Sequence, residues 1–178
     1  RIRGTDATRI NVTLNGMPLN NPESQEVYWV NLPDLSSSLQ SVQVQRGVGT
    51  STNGSAAFGA SMSLKTLGGS SDAYGEASST VGSYGTFSSS LAAGTGLLSK
   101  GFALDARYSK VLSDGYIQNG KVDHSNLFLS LSHYGSKQLL RINYINGIQH
   151  TGITWNGVSP EQIEEYGRRF NTAGAYFD

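Results

Sequence analysis

The chain has 178 residues, enough for one medium domain or two small ones. Thirteen Lys and Arg balance thirteen Asp and Glu, so the net charge is zero and no basic footprint for nucleic acid exists. The absence of cysteine excludes a disulfide framework, a thiolate metal site and a cysteine nucleophile.

The chain opens on "RIRGTD" without an initiator Met, and we read it as a fragment or as a mature product missing its front. Next, "RINVTLNG" alternates Ile10, Val12 and Leu14 against Asn11, Thr13 and Asn15, a strand. Asn15-Gly16 is a type I′ hairpin signal, and "MPLN" begins the return strand. "NLPDLSSSLQ" (31–40) predicts one or two helical turns, and "SVQVQRG" alternates again. Residues 45–66, "QRGVGTSTNGSAAFGASMSLKT", place one arginine before a run of small residues and then return to a strand. A phosphate loop needs a Gly-Lys-Ser/Thr ending. Here Gly59 leads into Ala60 and Ser61, and Lys65 falls inside the strand, so nucleotide binding is disfavoured.

From about residue 72 the pattern is purely β. Five candidate strands, "YGEASSTVG", "TFSSSLAAGTGLL", "GFALDARYSKV", "NLFLSLSHY" and "QLLRINYINGIQH", each carry one apolar face. Leu104 and Tyr108 oppose Asp105 and Arg107; Leu127, Leu129 and Leu131 oppose Phe128, Ser130 and Ser132; Leu140, Ile142 and Tyr144 oppose Arg141 and Asn143. The longest connectors, 112–125 and 151–178, fall on alternate turns, with short ones at 98–101 and 134–137. Barrels that cross an outer membrane show this asymmetry, and each of their strands needs only about 10 alternating residues. "SPEQIEEYGRRF" reads as a short helix, capped by Ser159, with Pro160 at its first position and Gln162 completing the box.

His124, His133 and His150 lack metal-ligand spacing, and no serine sits in a nucleophile elbow. The residues support no catalytic site, no metal site and no cofactor, so the chain does not read as an enzyme.

Taken together, "RIRGT", "RINVTLNGMPLN" and "LPDLSSSLQSVQVQRGVGTSTNGSAAFGASMSLKT" resemble the plug domain of TonB-dependent outer-membrane receptors, in the wording of the Bacteroidetes group. The resemblance implies an α+β plug segment over 1–66, the C-terminal part of that domain. It also implies an antiparallel transmembrane β-barrel over 67–178, present as about five strands of a barrel of about 22. The implied function is energy-coupled import across the outer membrane of a Gram-negative cell. The ligand would be scarce: an iron–siderophore, haem or a cobalamin-like compound. TonB would be the partner, through a segment not in this chain, and outer-membrane lipid would surround the barrel. Arg3 in "IRG" and Arg46 in "QRG" match the two plug arginines that pair with barrel glutamates, beside Gly4, Gly47 and Gly49, with Phe58 as a packing anchor. Tyr116, Trp155 and Tyr166 are candidates for ligand contact in the outer loops. The alternatives are a passive porin or adhesin barrel and a water-soluble β-rich binding module.

Overall fold

A computed structural model of the chain describes residues 2, 4–47 and 58–174. Strands β1 (Ile10–Leu14) and β2 (Met17–Pro18) form the hairpin read from Asn15-Gly16. The two turn residues have φ of 52° and 84°, the left-handed pair that a type I′ turn requires. Strand β1 also pairs in parallel with β4 (Ala60–Thr66), which pairs antiparallel with β3 (Leu39–Arg46). The result is a four-stranded mixed sheet in the order β2-β1-β4-β3. The apolar parity of β1 packs inward as its alternation dictates: Val12 and Leu14 form a core with Leu35 and Leu64.

The helical turn expected within 31–40 is present as a 3-10 turn, Leu35–Ser38, and a second 3-10 turn, Trp29–Asn31, precedes it. Pro33 and Asp34 separate them, with Asp34 in left-handed backbone at φ 52°. Proline cannot sit in a helix interior, and three successive serines add little helix propensity, so neither turn extends.

After a linker, five strands form an antiparallel meander in sequence order. They are β5 (Ala73–Val81), β6 (Phe87–Thr95), β7 (Phe102–Ser113), β8 (Val122–Tyr134) and β9 (Leu139–Thr151). Each of the five strand candidates is realised, and the paired residues keep the parities read from the sequence. On β7, Asp105, Arg107 and Ser109 are buried while Leu104 and Tyr108 are exposed. On β8, Asn126, Phe128, Ser130 and Ser132 are buried while Leu131 is exposed, and Leu127 and Leu129 share its parity. Leu140, Ile142, Tyr144 and Ile148 of β9 are exposed. This sidedness is the reverse of a sheet that folds in water, where the apolar face is the covered one.

The covered polar face lies against the first sheet. Ile145, on the inner parity of β9, packs against the Val12–Leu14–Leu35–Leu64 core and joins the two sheets. Beyond β9 the chain forms α1 (Pro160–Tyr166). The capping box is present as read: Ser159 Oγ accepts from the Gln162 amide at 3.3 Å, and the Ser159 amide donates to Gln162 Oε1 at 2.9 Å.

Candidate functional site

The contact between the two sheets is built by the loop 33–38. The Asp34 carboxylate accepts from the hydroxyls of Ser37, beside it, and Ser109, on β7. Its Oδ2 also lies 3.8 Å from Arg107 Nη1, and both side chains are nearly buried. Arg107 Nη1 donates to Ser38 Oγ at 3.3 Å. On β8, Asn126 Nδ2 donates to the Pro33 carbonyl at 3.0 Å. The Pro33 ring sits over Gly147 of β9, where an added Cβ would stand 2.5 Å from Cγ and 2.8 Å from Cδ. One short loop therefore touches three consecutive strands of the wall, almost entirely through side chains.

Gly147 is thus a notch, and filling it has a calculable effect. A proline ring cannot turn away from an added side chain, so the loop or the strand must shift. Gly147→Val is expected to weaken the docking of the first sheet by roughly 1–3 kcal/mol. The measurement is the unfolding transition of residues 1–66 in the full-length protein. An unchanged transition would mean that Pro33 does not occupy the notch.

A second contact fixes the linker. The Gly69 amide donates to Asp105 Oδ2 at 3.1 Å, and the Tyr74 hydroxyl donates to Asp105 Oδ1 at 3.1 Å. Gly69 has φ 79°, and any Cβ there would collide with the Tyr134 hydroxyl. That hydroxyl accepts from Arg141 Nη2 at 3.2 Å, and Arg141 Nε donates to Ser132 Oγ at 3.0 Å. The linker is held where the backbone can pass and no side chain could.

The connectors at the other end of the strands also converge. Tyr84 and Tyr116 meet edge-on with centroids 5.4 Å apart, and the Arg169 guanidinium stands 5.7 Å and 5.9 Å from the two rings. Arg169 Nε donates to the Tyr116 carbonyl at 2.7 Å, and Asn171 Nδ2 donates to the carbonyls of Gln118 and Ile153 at 2.8 Å each. Beside them opens a cleft of about 870 Å³ whose lining includes Asp114, Lys121, Asp123, His150 and Arg169. On α1, the Glu161 carboxyl is held below its usual value by a hydrogen bond with Ser159, and the Tyr166 hydroxyl is pushed up by its bond to Glu165.

The residues singled out in the sequence are distributed unevenly over these contacts. Tyr116 lies in the aromatic–Arg169 cluster, Tyr166 stacks on Phe170 at 4.6 Å, and Trp155 is 74% exposed. Arg46 ends β3, exposed, opposite Ala60 in register. Gly4 and Gly47 have φ of 77° and 82°, as tight turns require, and Phe58 is exposed. Arg3 and Gly49 lie outside the described residues. The sequence reading missed Asp34 as a docking residue. Its one signal was an acid after Pro33 in a stretch otherwise bare of charge, matched by a lone Arg107 on the polar parity of a strand.

The TonB-dependent Receptor Plug Domain family matches residues 1–61. No curated protein matches the chain. Solved structures share its fold. The pyoverdine outer membrane receptor FpvA from Pseudomonas aeruginosa PAO1, bound to pyoverdine, is 15% identical with a TM-score of 0.70, covering 96% of this chain and 26% of that one. The ferric citrate transporter FecA in its unliganded form is 19% identical with a TM-score of 0.71, covering 96% and 27%. The copper transporter OprC is 17% identical with a TM-score of 0.69, covering 84% and 24%. The chain spans about a quarter of the length of these structures. It has their fold, a plug segment followed by the antiparallel strands of a partial barrel.

Proposed function

We propose that this chain, a plug segment and five barrel strands of the TonB-dependent receptor kind, serves energy-coupled import of a scarce ligand across an outer membrane. One observation carries the reading: β7 and β8 bury a polar face against a plug and present an apolar face outward, which suits a wall between lipid and an occupied lumen. A passive porin needs no docked plug, and a water-soluble module would cover the leucines of β8 and β9. The division falls at the linker, with residues 1–66 as plug and 67–178 as barrel strands and loops. Arg46, and Arg3 with it, would pair with glutamates on barrel strands outside this chain. The connectors at 82–85, 112–125 and 151–178 face the cell exterior, with Tyr116, Trp155 and Tyr166 available to a ligand. The pyoverdine receptor, the ferric citrate transporter and the copper transporter that share this fold favour a chelated metal such as an iron–siderophore, with haem or a cobalamin-like compound in the same class. TonB would supply the pull through a segment outside this chain.

The test expresses the full-length protein in cells lacking other receptors and follows uptake of radio-iron chelates, haem and cobalamin. Accumulation that stops when the proton gradient is collapsed is the expected result. Uptake that persists without the gradient would make the protein a passive pore. Protease added to intact cells is expected to cut within 112–125 or 151–178 in preference to 98–101, and the opposite pattern would invert the topology.

A further inference from the structure

We infer that Arg107 is a reversible partner shared between plug and wall: it holds Asp34 while the loop 33–38 is docked, and turns to Glu76 when the loop leaves. The register sets this up. Glu76 of β5 pairs with Ala92 of β6, and Ala92 pairs with Arg107 of β7, so the three lie in one row on the inner face. Neighbouring strands are about 4.8 Å apart, so the backbones at 76 and 107 are separated by about 10 Å. Two long side chains span that distance, and the residue between them is only a methyl group.

The charges nearby are already divided. Asp105, two residues from Arg107 on the same face, has both oxygens engaged, by the Gly69 amide and by the Tyr74 hydroxyl. Glu76 is exposed, and neither ion pair of the described residues uses it. The grip on the docked loop is loose by comparison with a two-bond fork: Arg107 Nη1 stands 3.8 Å from Asp34 and 3.3 Å from Ser38 Oγ. Asp34 is also held at φ 52°, a conformation that it can leave on release.

Docking of the loop is what covers Arg107, so its departure lets water reach the guanidinium as it gives up Asp34. A second carboxylate within reach supplies a charged partner in that open state and favours it. The loop can then leave and return without unfolding the wall, while the linker stays clamped at Asp105. The inference concerns this wall and this loop, and it holds whichever ligand is imported.

The test is amide hydrogen exchange of the segment 33–38 in the full-length receptor in detergent. Glu76→Gln removes the waiting partner from the open state and is expected to slow exchange there about two- to fivefold. Ala92→Leu, which blocks the path and keeps both charges, is expected to slow it as well. Asp34→Asn is expected to speed it. The effect of Glu76→Gln should vanish when Arg107→Gln is also present, with slow exchange in β7–β9 confirming that the wall is folded. Wild-type exchange in both Glu76→Gln and Ala92→Leu would overturn the inference, as would equal slowing by Glu76→Gln in the Arg107→Gln background.

Discussion

Replacing Asp34 by Ala is expected to weaken the seat of the plug on the barrel wall by about 2–3 kcal/mol. The carboxylate is the convergence point of the contact: it receives the hydroxyls of Ser37 and Ser109 and stands beside the Arg107 guanidinium. Its removal leaves one buried hydroxyl and one buried cation to find other partners. Ser109→Ala, which deletes a single neutral donor, should cost only about 1 kcal/mol. Arg107→Ala should exceed Ser109→Ala, because it leaves the carboxylate nearly buried and without its counter-charge. In the full-length protein the measurement is the thermal unfolding of the plug, followed separately from that of the barrel. The Asp34–Arg107 double-mutant cycle apportions the pair. A coupling near zero, with the plug transition unchanged in Asp34→Ala, would mean that the plug is held elsewhere. Arg3 and Arg46 are then the residues to examine.

That contact shows where the sequence was legible and where it was not. The barrel strands were readable because a sheet with one apolar and one polar face imposes a period of two, and Leu104 against Asp105 or Ile142 against Asn143 reports it without knowledge of the neighbours. The hairpin was readable because Asn15-Gly16 supplies two left-handed residues, and the terminal helix because Ser159 and Gln162 satisfy each other locally. A helical turn within 31–40 was legible from leucines three and four apart, a spacing that does not tell a 3-10 turn from an α turn. The pairing of Asp34 with Arg107 spans 73 positions in the numbering of the chain and depends on how two sheets dock. No local pattern encodes it. Arg3 and Arg46 were singled out by resemblance alone, which proposes a family's general anchors. Asp34 belongs to this chain's own fit between plug and wall.

Arginine in place of Leu129 is expected to cost roughly 2–4 kcal/mol in the membrane-embedded barrel. Leu129 lies near the middle of β8, paired with Ala106 on one side and Tyr144 on the other, on the parity opposite the buried Phe128 and Ser130. A guanidinium there must either shed its water in hydrocarbon or drag headgroups and water inward, and mid-strand position leaves the longest route to an interface. The same substitution one face over should be far cheaper, because Arg141 and Arg107 already stand on the inner parity with polar partners. Asn143→Arg is therefore the matched control. The free-energy difference is read from reversible unfolding into lipid vesicles. Spin labels at Ile142 and Asn143 report the same sidedness independently, with oxygen relaxing the first label more strongly and a water-soluble relaxant the second. Equal costs for the two arginines, together with equal accessibility of the two labels, would remove the lipid-facing assignment of this sheet and leave its exposed leucines to be covered by protein.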